Sequence, residues 1–205
     1  MIEIPGDAAT QPASGQVCPM FAVDIAGFTR ADRNSEIRLY LRRSLYQILQ
    51  EAFQGSGLPW AECHHEDRGD GALIIVPPHI PGYGIIDPLP DRLRGLIRRH
   101  NRLSCEAAQM QLRAAATIGP VDRDDHGLVG DDLNQLFRML DARPLRRALT
   151  DTGAELALVI SRYVHDNLVI QHPSLVNPAL FRPLNTRVKR TRIHAWIYVP
   201  GQQPP

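Results

Sequence analysis

The chain is poor in cysteine. Three residues of 205, Cys18, Cys63 and Cys105, stand far apart, odd in number and in no CxxC pair. That spacing excludes a disulfide framework and a Cys-based zinc site. An excess of charge of one sign is missing too. Lys and Arg number 23 against 22 Asp and Glu, a net +1 with neutral His. This balance leaves no basic footprint for duplex nucleic acid and no polybasic membrane signal. No apolar run approaches the ~18 residues of a transmembrane helix. The opening MIEIPGDAATQPASGQ has neither the basic nor the apolar region of a signal peptide. These absences predict a soluble, reduced, cytoplasmic protein with no nucleic-acid or membrane partner. What is present is ordinary globular usage, 43% hydrophobic and 22% charged, which argues against wholesale disorder. The expected organisation is a loosely held segment over 1–16, one domain over 17–200 and a short tail over 201–205.

Hydrophobic patterning orders the elements. PMFAVDIAGF (19–28) is an apolar, β-prone run broken by one acid, Asp24. Ile37, Leu41, Leu45, Ile48, Leu49 and Ala52 then recur at helical spacing, with Asn34 or Ser35 as N-cap and Gly55-Ser56-Gly57 as the stop. Two short strands follow, about 61–67 and 71–77, joined across Asp70-Gly71, which suits a type I′ hairpin turn. Residues 77–90 carry five prolines and read as a loop. A helix over about 90–105, a strand over 110–121 and a helix from Asp131 to about Leu140 come next. Beyond them lie a strand at 155–161, a short helix at 162–170 and strands near 179–189 and 193–199. This order predicts an α/β (α+β) fold: a ferredoxin-like βαββαβ core with additional αβ elements. The expected sheet is mixed and mostly antiparallel, with helices on one face.

Three groups of residues stand out chemically. Asp24 interrupts what reads as a central strand, where an unpaired carboxylate is costly. The turn that follows it, Ile25-Ala26-Gly27-Phe28-Thr29, has backbone N–H groups suited to cradling phosphate. The plainer reading of Asp24 is a strand-end residue bonded to its own turn. Asp70 at a hairpin tip needs no function by itself. In a β-α-β-β core, however, strands 1 and 3 are neighbours, so Asp24 and Asp70 meet, and two adjacent carboxylates call for a divalent cation. The third group is Asn134 and Arg138, on one face of a helix at i,i+4. An amide and a guanidinium so placed suit a sugar and a phosphoryl group, although ordinary surface polarity produces the same pattern.

In order along the chain, Asp24-Ile-Ala-Gly-Phe-Thr29, Arg68-Gly-Asp70-Gly and Gly127-Leu-Val-Gly-Asp-Asp-Leu-Asn134-Gln-Leu-Phe-Arg138 resemble the catalytic domain of class III nucleotidyl cyclases. That family includes adenylate and guanylate cyclases and bacterial relatives, some in anti-phage signalling, and the chain resembles a bacterial stand-alone member over about 18–199. The resemblance implies that Asp24, Asp70 and the Ile25 carbonyl bind two Mg²⁺ or Mn²⁺ ions per active site. It implies that the 25–29 backbone and Lys189 hold the triphosphate, that Asn134 orients the ribose and that Arg138 stabilises the α-phosphate. It further implies a homodimer whose two sites are shared between subunits, and leaves room for an unidentified regulatory or effector protein. A polymerase-palm or diguanylate cyclase reading is weaker, because the GGDEF-type hairpin is absent.

Base choice departs from the adenine pattern. Glu66 stands where the family places Lys for adenine and Glu for guanine, and its carboxylate suits the donor edge of guanine. It also suits a cytosine amino group or uracil N3–H. Gly127 falls where adenylate cyclases place Asp or Thr. The expected activity is therefore conversion of an NTP, GTP or a pyrimidine nucleotide, to a 3′,5′-cyclic nucleotide and pyrophosphate. The alternative is a catalytically silent regulatory or nucleotide-binding module on the same fold. His64 and His65, adjacent on a strand, face opposite ways and cannot chelate one ion together. Trp60 and Trp196 read as packing or interface residues.

Overall fold

The computed structural model describes residues 12–188 and 191–202. Expectations that fall on residues 1–11, Lys189 and 203–205 lie outside them. The elements in chain order are β1 (Gln16–Ile25), α1 (Ser35–Gly55), β2 (His64–Asp67), β3 (Gly71–Ile75), α2 (Leu89–Leu103), β4 (Leu112–Asp124), β5 (Gly127–Val129), α3 (Asp131–Leu140), α4 (Arg143–Thr152), β6 (Leu156–Ser161), α5 (Arg162–Val164, running into a π-turn at His165–Val169), β7 (Arg182–Val188) and β8 (Thr191–Tyr198). The main path of the sheet is β2-β3-β1-β4-β6-β8-β7, with β5 paired to β4. Every pairing is antiparallel except β4–β6. The first four strands thus stand in the βαββαβ order expected, with β1 between β3 and β4.

Local chemistry explains most boundaries. Asn34 caps α1 by accepting from the Ile37 amide at 2.9 Å, and the helix ends at Gly55 as the glycine stop predicts. Asp131 and Asp132 occupy the first turn of α3 and Arg138 its last, each complementing the helix dipole. The helix α4 was not among the sequence expectations. Its apolar signal is only Leu145 and Leu149, a single repeat, supported by Pro144 in the first turn and a left-handed Gly153 after the last.

Strand parity divides the core. Phe21, Val23 and Ile25 join Leu41, Leu45 and Leu49 of α1 and Leu93 and Ile97 of α2. Met20 and Ala22 join Leu133, Leu136 and Met139 of α3 and Leu145 and Leu149 of α4. Helices therefore cover both faces of the sheet, not one as expected, because α3 and α4 form the crossover between parallel strands β4 and β6 and bury an apolar stripe of their own. The second half of the chain adds Val164, Val169 and Phe181 to the α1–α2 face.

The β2–β3 turn also differs from expectation. Gly69, with φ 81°, and Asp70 are its central residues, and the Arg68 amide donates to the Gly71 carbonyl at 3.0 Å. The left-handed position falls on Gly69, as in a type II′ turn, rather than on an Asp-Gly pair. On β2 the two histidines part as predicted. His64 meets Glu66 at 3.2 Å, while His65 stacks on Trp60 with ring centroids 3.9 Å apart. Trp60 and Trp196 pack against the α1–α2 core.

Burial, and next the nearby His64, hold the His65 imidazole down to about pKa 4. A base whose folded pKa lies below its unfolded value of about 6.5 contributes stability above that pH and loses it as pH falls towards 4. After allowance for partial exposure the loss is roughly 2 kcal/mol. The expected outcome for His65→Phe, which keeps the stack on Trp60, is a urea-unfolding stability that declines less than the wild type's between pH 7 and 4, by about that amount. Equal declines in the two proteins would show that His65 does not titrate on unfolding.

Candidate active site

Asp24 lies one residue from the end of β1, buried at 9% exposure. By parity with Met20 and Ala22 its side chain belongs to the α3–α4 side of the sheet. Directly across the β1–β4 ladder stands Arg113. Its guanidinium donates from Nε to one Asp24 oxygen at 2.8 Å and from Nη2 to the other at 2.7 Å. This two-pronged geometry matches both planar groups, and both side chains are only 13% exposed. Burial nevertheless pushes the Asp24 carboxyl up, Arg113 opposes it, and the Asp70 and Asp141 charges add to the rise, leaving it at about 6. One guanidinium does not offset the burial and the neighbouring negative charge together.

Asp70 reaches this place through the turn. Gly71 is the residue paired with Asp24 across β1–β3, and the Ile25 amide donates to the Asp70 carbonyl at 2.9 Å. Asp24 and Asp70 are thus brought together as strand order predicted. Glycine is required at 71: a Cβ there would sit 2.0 Å from the Val23 carbonyl oxygen. Arg42 of α1 anchors the other side of the hairpin, pairing with Asp67 and donating to the Gly69 carbonyl.

The turn after β1 is open on its donor side. Ala26 donates to the Gln111 carbonyl at 2.9 Å, but the amides of Gly27, Phe28 and Thr29 donate to no acceptor among the described residues. Gly27 has φ 63°. Consecutive unpaired amides around a left-handed residue form an anion-binding concavity.

Glu66 lies on β2 four residues before Asp70, between His64 and Arg68. His64 Nε2 meets one oxygen at 3.2 Å and Arg68 donates to the other at 2.6 Å. These contacts, His64 first, hold its carboxyl below the usual range. The Arg68 guanidinium also lies 4.7 Å from the centre of the Phe137 ring of α3. Gly127 opens β5 at φ 133°. Asn134 is exposed and Arg138 partly exposed on α3; no hydrogen bond or ion pair among the described residues ties either to Asp24 or Asp70. Lys189 lies outside the described residues.

Arg113 was missed by sequence reasoning. Within Leu112-Arg113-Ala114-Ala115-Ala116 it is a lone cation in an apolar strand, a signal that acquires meaning only once the register sets it opposite Asp24. As for a metal, the described residues hold no group of three or more His, Cys, Asp or Glu able to bind one. The donor set present is two carboxylates and a backbone carbonyl, all oxygen, which suits Mg²⁺ or Mn²⁺. The Asp24 carboxyl, raised first by burial and further by Asp70, is one whose charged form a divalent cation would favour. On both counts the residues fit the ion.

No protein-family model matches the chain, and no curated protein does. Solved structures do. An adenylate/guanylate cyclase/hydrolase from Silicibacter pomeroyi aligns with a TM-score of 0.64 and 20% identity over 92% of this chain and 99% of that one. The guanylyl cyclase Cya2 aligns with a TM-score of 0.60 and 12% identity over 93% and 96%. The catalytic core of a rhodopsin-guanylyl cyclase with converted specificity, in complex with ATPαS, aligns at 0.59 and 16% over 90% and 97%. The chain has a class III nucleotidyl cyclase-like fold.

The close approach at Gly71 sets a stability expectation. Gly71→Ala must part β3 from β1 or break their pairing, a loss of about 3 kcal/mol. It should appear as a lower urea midpoint with an unchanged slope. A midpoint within the error of the wild type's would mean that β1 and β3 lie further apart than described.

Proposed function

We propose that residues 17–200 form a nucleotidyl cyclase domain that converts an NTP to a 3′,5′-cyclic nucleotide and pyrophosphate. The observation that carries this reading is the meeting of Asp24 and Asp70 beside three unpaired amides, on a cyclase-like fold. In the reaction the ribose 3′-oxygen bonds to the α-phosphorus, the bond from that phosphorus to the β-phosphate bridging oxygen breaks, and the 3′-hydroxyl proton is released to solvent. Asp24, Asp70 and the Ile25 carbonyl would hold two Mg²⁺ or Mn²⁺ ions, which supply a lowered 3′-hydroxyl pKa and charge neutralisation on the departing pyrophosphate. The Gly27, Phe28 and Thr29 amides receive the β- and γ-phosphates. Arg113, released from Asp24 when that carboxylate takes another cation, has its five donors free for phosphate oxygens. Asn134 and Arg138 act on the ribose and α-phosphate of a site completed by a second copy of the chain. Lys189 is assigned to the triphosphate by resemblance alone.

Glu66 reads the base. Held by His64 and Arg68, it remains ionised and accepts from the N1–H and N2 edge of guanine or from a pyrimidine donor, while Arg68 offers donors to an adjacent carbonyl. GTP and the pyrimidine nucleotides are favoured over ATP. A product of this kind suits second-messenger or anti-phage signalling in the cytoplasm of a bacterium. A second reading, a silent nucleotide-binding module, is favoured by one observation: the Arg113 fork occupies both Asp24 oxygens.

Incubation with ATP, GTP, CTP and UTP in Mn²⁺, with products identified by mass spectrometry, separates the two. The cyclase reading expects one predominant cyclic product, abolished in Asp70→Ala and reduced about 10²-fold in Arg138→Ala. NTP binding with no new product in any of the four would leave the silent module.

A further inference from the structure

Arg33 is the most deeply buried charged side chain among the described residues, at 2% exposure, yet it pairs with no carboxylate. Its guanidinium instead donates to four backbone carbonyls. Nη1 reaches Gly27 at 3.0 Å and Ala26 at 3.4 Å, Nε reaches Ala107 at 3.1 Å, and Nη2 reaches Gln109 at 2.6 Å. Two of these carbonyls belong to the turn after β1. The other two belong to the segment leading into β4, the strand that carries Arg113. An unpaired guanidinium is costly to bury, and the cost here is met with carbonyl dipoles drawn from both sides of the candidate site.

The consequence follows from peptide geometry. In a trans peptide the C=O and the next N–H point in opposite directions. Drawing the Ala26 and Gly27 carbonyls onto Arg33 therefore turns the Gly27 and Phe28 amides away from it, and these are two of the three amides that donate to nothing. We propose that Arg33 is a positioning residue for the phosphate cradle: it orients the amides of Gly27 and Phe28 for a polyphosphate and places a buried positive charge behind them. The ligand class is a nucleoside triphosphate or its inorganic counterpart, so the inference rests on the proposed function and deepens it. Lysine cannot replace the fork, because one ammonium on a flexible stem cannot hold four carbonyls in fixed directions. Arg30, whose charge lies close by, does not substitute, since its guanidinium is engaged by Asp32 at the surface.

The test uses the full chain and inorganic tripolyphosphate with Mg²⁺, measured by calorimetry, beside amide chemical shifts. In the wild type, binding is expected to shift the Gly27 and Phe28 amides most. Arg33→Gln and Arg33→Lys are expected to weaken tripolyphosphate about tenfold or more and to raise KM for the NTP more than they lower kcat. Binding of the corresponding nucleoside should stay within about twofold, since it does not use the cradle. A folded variant that binds tripolyphosphate as the wild type does, or wild-type shifts that spare these two amides, would overturn the proposal and leave Arg33 as a stitch between two loops. The second readout needs no variant, so misfolding of both substitutions leaves the proposal open to refutation. Tripolyphosphate binding at these amides without cyclic product would refute the cyclase reading while sustaining this one.

Discussion

A carboxylate at the end of the central strand is the constraint around which this structure is arranged. Asp24 continues the apolar alternation of β1, so the same parity that buries Met20 and Ala22 buries it as well. A charge so placed needs a partner, and β4 supplies Arg113 directly across the ladder. The far side of β1 must accept β3 closely enough that no Cβ fits at residue 71. That approach brings a second acid, Asp70, to the same place. The burial that stabilises the sheet also raises the Asp24 carboxyl, and the register that brings Asp70 near adds to the rise.

The neighbouring loops answer the same geometry. The Ile25 amide is tied to Asp70 and the Ala26 amide to Gln111, so the chain leaving β1 is fixed on both sides before it turns. Arg33 then gathers carbonyls from that turn and from the approach to β4. Two arginines divide the work: the partly exposed Arg113 meets the acid and the buried Arg33 meets the backbone. Negative charge and unpaired N–H groups are left at one end of the sheet, an arrangement suited to a metal-bound anion.

Legibility in the sequence varied with the length of the signal. The helix α1 carries six apolar positions at helical spacing between a good cap and a glycine stop, and its boundaries were readable almost to the residue. The helix α4 carries one apolar repeat and was not. The ferredoxin-like order could be inferred, and with it the meeting of Asp24 and Asp70, because hairpins and crossovers restrict how such strands pair. Coverage of both sheet faces could not be, since it depends on where the β4–β6 crossover passes. The turn at Arg68–Gly71 was located correctly but given the wrong type: Gly69 and Gly71 both permit a positive φ, and only strand pairing decides which residue takes it.

The amino-acid order by itself determined which residues carry charge in apolar surroundings, where helices start and stop, and that the strand carrying Asp24 lies beside the hairpin whose turn carries Asp70. Those properties are local, or follow from chain connectivity. Tertiary structure alone decided that Arg113 faces Asp24 and that Arg33 spends its donors on carbonyls rather than on an acid. Each of those depends on a cross-strand register or a loop-to-loop distance, and a shift of one residue would send the same side chains to the opposite face of the sheet.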